Sequence, residues 1–376
     1  MQRQLLSPEL VGQRLAMDVT LPGGLGLLVP AGAVLGGGDV DALLARGVRH
    51  VFLKDEIFPE LPERRTVPLE ALLQAQAALG EFWRALAGPE DPRLGELLQR
   101  LIRSAASIVD ALLDQDPDIA DVGPWDVGSQ DPVEHAVAVS TVAAQIGKGL
   151  GMPRERLVRL CLGALLMDVG RPPVEPGPRV LTPVRENVAD VLLHPRRGFE
   201  RVRRLSAVRP TSASVVLEHH ERLDGSGYPD GRTGENIYVF ARITAVADVF
   251  VALGSDRPQR PRFRPAEILR HFHEEAGVSL DREAAEVLLR HVALVPHGAI
   301  VRLTDGTLAK VVAHSLGAPL QPLVVVAGNA LNQPVGRRQV NLRGTGVYVE
   351  RILDTWPREL TGRLRGRPAG AERLHG

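Results

Sequence analysis

Apolar residues return every three or four positions through the middle of this chain, while both ends carry shorter, strand-like runs. Residues 69–86 and 94–113 both show the helical period, and each run follows a proline near its first turn. Residues 133–147 predict a further helix, stopped by Gly147, Gly149 and Gly151. Pro153 opens the next helix at its first position, and Leu157, Leu160, Cys161, Ala164 and Leu165 carry it to Asp168. Thr182 and Pro183 make a cap and first-residue pair for a helix containing His194. Pro210 and Thr211 start a helix that delivers His219 and His220 at its C-terminal end. Residues 243–253 carry Asp248 on another helix, and residues 265–275 and 281–292 complete the bundle.

Before position 62, short apolar runs are broken by Pro22-Gly23-Gly24, Pro30-Ala31-Gly32 and Gly36-Gly37-Gly38. Strands are expected at 25–29 and 48–53, with a short helix at 39–45 between them. After Pro296 the pattern is strand-like again: 300–304 and 308–312 flank the Asp305-Gly306 corner, a hairpin signal, and 323–326 and 347–352 add strands. The fold class is therefore mainly α. A helical bundle over 119–293 is expected behind a small N-terminal α/β module (1–62) and a helical connector (63–118). A small C-terminal β domain (294–357) and a disordered Arg/Gly-rich tail (358–376) follow. Two partners are open to the apolar faces of the connector: the bundle of the same chain, or a second copy in a homodimer.

Composition narrows the function. The 376 residues carry 45 basic and 45 acidic side chains, so no basic field calls for a nucleic-acid polymer and no polybasic arm for a membrane. The single cysteine, Cys161, falls in an apolar helical run, which predicts a buried thiol in a reducing compartment. No signal segment and no span of about 20 uninterrupted apolar residues is evident, so a soluble cytoplasmic protein without membrane insertion is expected.

The candidate chemistry centres on His219-His220-Glu221, placed directly before Asp224-Gly225-Ser226-Gly227-Tyr228-Pro229. Neutral imidazole is the commonest protein ligand for borderline metals. Asp131, His135, Asp168, His194 and Asp248 surround the pair in the sequence. Asp131 and His135 are four apart and share a helix face if the first bundle helix begins that early. His219 and His220 lie about 100° apart on a helix, so they suit one shared metal or two neighbouring ones. The glycines have a plain reading as a turn with Tyr228 packed on the bundle.

In these residues the chain resembles the HD-GYP family of metal-dependent phosphohydrolases, whose members hydrolyse the bacterial second messenger cyclic di-GMP. The likeness runs from about 131 to 260 and includes the block around Asp248 and Ser255-Asp256-Arg257-Pro258. It implies an all-helical HD-type bundle holding one or two divalent ions, Fe or Mn. One ion would take Asp168, His194, His219 and His220. The other would use His135, Asp168 and Asp248, with the histidine that normally precedes the bridging aspartate. Asp131 stands where some members use glutamate for a third metal. Asp168 and Arg171 are the implied catalytic residues, with Arg171, Arg257 and Arg260 on phosphate or guanine. The loop residues Gly225, Gly227, Tyr228 and Pro229 are implied to meet cyclic di-GMP-synthesising domains.

The sequence departs from the pattern at several positions. Met167 replaces the histidine before Asp168, and a thioether is a soft ligand poorly matched to Mn(II) or Fe(II). Arg171 replaces a lysine, the loop over 172–180 is short, and Val251 takes a position that is usually acidic. The resemblance implies a cyclic di-GMP phosphodiesterase that yields the linear dinucleotide or GMP. A degenerate domain that senses nucleotide or metal without turnover, and an interaction scaffold, are the alternatives.

Overall fold

The computed structural model describes residues 2–20, 27–46, 48, 50–55, 57–59, 61, 66–88, 91–114, 119–121, 132–172, 188–255 and 261–365. At the N-terminus β1 (Gln2–Leu5), β2 (Val19–Thr20), β3 (Leu27–Val29), α1 (Gly37–Ala45) and β4 (His50–Leu53) form a small α/β module. Strand β1 pairs antiparallel with β4 and β2 with β3, over a core that includes Leu15, Leu35, Val40, Leu43 and Val51. The two expected strands and the helix appear here; β1 and β2 are additions.

Next come α2 (Leu69–Ala87) and α3 (Leu94–Asp114). Their apolar faces, with Leu79, Phe82 and Trp83 on α2 and Leu101 and Ile108 on α3, are covered by this chain's own bundle. That bundle consists of α4 (Pro132–Gly149), α5 (Arg154–Leu165), α6 (Val188–Val202), α7 (Pro210–Glu218), α8 (Val239–Gly254), α9 (Pro265–Glu275) and α10 (Arg282–His291). Helix α4 runs through the middle, and every residue from Ala136 to Gly147 is buried. Of the polar side chains this burial traps, Ser140 and Thr141 both donate to the Val137 carbonyl at 2.8 Å, and Gln145 Nε2 donates to the His291 carbonyl at 3.3 Å. Pro210 and Pro265 begin α7 and α9 as expected, and Asp281 caps α10 by accepting from Ala284 N at 3.0 Å. Pro153 stands one residue earlier than expected, capping α5 rather than opening it. The expected start of α6 at Thr182-Pro183 lies outside the described residues.

The C-terminal strands are β5 (Ile300–Leu303), β6 (Leu308–Ala313), β7 (Leu323–Gly328), β8 (Pro334–Asn341) and β9 (Val349–Leu353). They form one antiparallel sheet in the order β8-β7-β6-β5-β9. Period-2 alternation gives the sheet two apolar faces. Val301, Leu303, Ala309, Val311 and Val324 join the bundle core, while Ile300, Leu308, Val325 and Ala327 pack with Ile57, Phe58, Trp356 and Leu360. On that second face Lys310 is ion-paired with Asp55, both side chains nearly inaccessible, and Trp356 Nε1 donates to Asp55 Oδ1 at 3.3 Å.

Two expectations need correction. Strand β8 was not expected, because its Pro-Val-Gly-Arg-Arg-Gln stretch carries an edge strand's exposed polar side chains. Part of the expected disordered tail is helical: α11 (Arg358–Arg365) forms because Leu360 buries itself against the sheet beside Gly328, and residues 366–376 lie outside the described residues. Among the described residues no helix is long and apolar enough to cross a membrane.

Candidate metal centre

Asp168 lies in the turn after α5, His194 within α6, His219 at the end of α7 and His220 just beyond it. From each of these four residues one donor atom falls within 4.8 Å of the others'. Among the described residues no other such group occurs. His194 Nε2 is 3.3 Å from His219 Nε2 and 3.2 Å from Asp168 Oδ1.

Local backbone features fix both of these imidazoles. Pro195 follows His194 inside α6 and has no N–H, so the Val191 carbonyl lacks its usual helical donor. His194 Nδ1 takes that carbonyl at 2.5 Å. Likewise α7 ends after Glu218, and His219 Nδ1 reaches the carbonyls of Val215 and Val216 at 3.1 and 3.2 Å. A carbonyl only accepts, so each Nδ1 carries the proton and each Nε2 presents a lone pair. Two Nε2 lone pairs and a carboxylate oxygen then face one another at about 3 Å, an arrangement that a cation between them would satisfy. His220 Nε2 is also buried without a hydrogen-bond partner.

The protonation states suit metal binding. Burial, with His194 nearby, pushes His219 down to about 4, and burial with His219 pushes His220 well below the ordinary histidine range. For Asp168 burial opposes ionisation, but the Arg171 guanidinium beside it works against burial, and the carboxyl is held well below its ordinary range. Neutral imidazoles and an ionised carboxylate are the ligand forms at neutral pH.

The other half of the expected ligand set is arranged differently. His135 Nε2 lies 2.9 Å from Asp248 Oδ1, and His220 Nδ1 lies 3.8 Å from Asp248 Oδ2. Burial opposes ionisation of Asp248, but the His135 hydrogen bond overrides it and keeps the carboxyl below its usual range. Met167 is buried in the apolar core, as is Val251. Arg171 Nε pairs with Asp168 Oδ1 at 2.8 Å. Asp131, Arg257 and Arg260 lie outside the described residues.

The turn and the loop around the centre are held by close packing. Gly170 meets α6 so tightly that a Cβ there would stand 1.9 Å from the His194 carbonyl oxygen. After the histidine pair, Gly225 takes a left-handed conformation at φ +80°, whereas Gly227 is required for proximity: its Cβ would sit 2.4 Å from the His220 oxygen. The loop thus folds back onto the pair, and the Tyr228 ring stacks on His220 with centroids 4.6 Å apart. The side chain is half-buried there.

Several supporting residues escaped the sequence reading. Buried Glu221 accepts from Asp230 N at 2.8 Å and Arg232 N at 2.9 Å, closing the loop on itself. Glu218 accepts from Arg232 Nη1 at 2.9 Å and Tyr238 N at 2.7 Å. Their adjacency to the histidine pair, Glu218 before it and Glu221 after it, was the signal available for each. Arg201 Nη1 and Trp83 Nε1 donate to the carbonyls of Val169 and Arg171 at 3.0 and 3.1 Å.

The chain is similar to several known proteins. The HD domain family matches residues 90–284. A cyclic di-GMP phosphodiesterase of Pseudomonas aeruginosa is 34% identical over 232 residues, 60% of this chain and 55% of that protein. The cyclic di-GMP phosphodiesterase response regulator RpfG of Xanthomonas campestris is 36% identical over 156 residues, 40% of this chain and 41% of its own. A 3'3'-cGAMP-specific phosphodiesterase of Vibrio cholerae is 34% identical over 171 residues, covering 44% of this chain and 39% of that protein. The chain spans about half the length of the curated relatives it matches.

Proposed function

The chain belongs to the HD domain family, and from that premise we propose that it is a metal-dependent phosphodiesterase of the HD-GYP type acting on cyclic di-GMP. The observation that carries the reading is the pair of Nε2 lone pairs turned toward each other at 3.3 Å, each with its Nδ1 proton committed to a backbone carbonyl. Asp168, His194, His219 and His220 would hold one divalent ion, and imidazole with carboxylate suits Fe or Mn. Such an ion, when bound, supplies a hydroxide nucleophile at neutral pH and polarises the phosphoryl oxygen. Arg171 neutralises Asp168 and would hold a substrate phosphate by charge and hydrogen bonds. Tyr228 covers His220 and limits water on that side. The product is the linear dinucleotide or GMP, and the buried thiol of Cys161 fits work in the cytoplasm.

A second reading is favoured by Met167 and by the His135–Asp248 hydrogen bond: binding of nucleotide at a one-metal centre, without turnover. Hydrolysis of cyclic di-GMP by purified protein, supplied with Mn(II) or anaerobically with Fe(II), separates the two. Turnover that His220→Ala abolishes supports the phosphodiesterase. Nucleotide binding with no turnover favours the sensor, and neither binding nor turnover refutes both.

A further inference from the structure

The turn carrying Asp168 and Arg171 is attached to the rest of the protein through its backbone. Gly170 lies against α6 at the His194 carbonyl, and Arg201 of the same helix donates to the Val169 carbonyl at 3.0 Å. The Arg171 carbonyl is held from another direction, by Trp83 Nε1 of α2 at 3.1 Å. Helix α2 ends at Ala87, before the residues matched by the HD domain family begin at 90. Trp83 is only 1% exposed, and a buried indole N–H needs an acceptor. Since Arg171 N also closes the turn on the Asp168 carbonyl at 2.9 Å, moving the Arg171 carbonyl moves the guanidinium's starting point and its ion pair with Asp168.

We propose that Trp83 is a positioning residue for Arg171: it fixes the backbone from which the guanidinium meets the substrate phosphate. The inference rests on the phosphodiesterase reading, because it takes Arg171 as the phosphate-binding group. It also makes α2, which lies upstream of the matched region, a structural part of the site. A lost anchor acts on the placement of a binding group and leaves the metal ligands in place, so it is felt in substrate affinity before turnover.

The test compares Trp83→Phe, which keeps a ring and removes the donor, with benzothienylalanine at the same position. The latter keeps the bicyclic shape with sulfur in place of N–H, so it answers the question even if the phenylalanine variant folds poorly. Two readouts are needed: steady-state hydrolysis of cyclic di-GMP, and the NMR signal of Arg171 Nε–H, identified by its loss in Arg171→Lys. The expected result is a KM raised about three- to tenfold, as for loss of one hydrogen bond, with bound metal unchanged. The turnover number should stay within about twofold, and the Nε–H proton should exchange faster with solvent. A merely structural tryptophan lowers thermal stability and moves neither KM nor the Nε–H signal, and that outcome overturns the proposal. If the unmodified protein shows no hydrolysis, the phosphodiesterase reading fails separately. The Nε–H signal then decides alone: faster exchange in the variants supports the positioning role, and an unchanged signal overturns it.

Discussion

Pro195 stands inside α6 directly after a proposed metal ligand, where a helix interior ordinarily rejects proline at about 3 kcal/mol relative to alanine. Its missing N–H leaves the Val191 carbonyl to His194 Nδ1, at 2.5 Å. Pro195→Ala restores the helical donor, and that N–H competes for the same oxygen. The fold should then gain stability, by up to about 3 kcal/mol. Metal binding should weaken, because the partner that orients a ligating imidazole is worth about 10–100-fold in affinity. A carbonyl has two lone pairs and can accept twice, which places the expected loss at the low end, about tenfold or 1.4 kcal/mol. Denaturant unfolding of the chelated protein measures the first effect, and calorimetric titration with Mn(II) the second. Opposite signs from one substitution distinguish tautomer control from general loosening of the helix. Unchanged Mn(II) affinity alongside a more stable fold would refute the argument that the proline sets the state of His194.

Other substitutions probe neighbouring parts of the account. Lys310→Met strands the Asp55 carboxylate in the interior, and breaking such a buried pair should cost about 3–5 kcal/mol at neutral pH, read by denaturant titration. For Asp55 burial opposes ionisation, yet Lys310 and the backbone donors lower its pKa. The pair's contribution is therefore complete above the unfolded value near 4 and drains away as pH falls through the lower folded value. The gap between Lys310→Met and the parent should accordingly shrink in acid; a gap independent of pH would speak against the pairing. Gly227→Ala forces a Cβ to within 2.4 Å of the His220 oxygen, so Tyr228 should leave His220 and hydrolysis should fall at least about tenfold with helical content retained. Met167→His should raise bound metal above one ion per chain by elemental analysis, if that position is what limits the second site; an unchanged count would show that it is not.

Much of this protein was legible from its apolar spacing. The helices of the bundle appeared because their period is strong and prolines mark where several begin, and His219-His220 with Asp168 and His194 indicated the centre. What escaped depended on contacts distant in sequence. Strand β8 hides its identity because an edge strand exposes its arginines, and α11 is hidden by the arginines in the sequence around buried Leu360. Glu218 and Glu221 acquire their roles only when the loop returns to them. Trp83 reads as an ordinary core residue until its donor is found on the Arg171 carbonyl, 88 positions away. Pro195 was plainly visible, but its meaning required the helix around it and the imidazole on the freed carbonyl. In the Gly-Tyr-Pro loop Tyr228 lies half-buried against His220.

The central claim is that Asp168, His194, His219 and His220 hold one catalytic ion, and counting metal and turnover on the same samples tests it most directly. Protein loaded anaerobically with Fe(II), or with Mn(II), should retain about one ion per chain and hydrolyse cyclic di-GMP, as a single imidazole–carboxylate site of this kind predicts. His219→Ala should lose both together. Full retention of metal in that variant, or turnover that persists after the metal has been removed, would contradict the account.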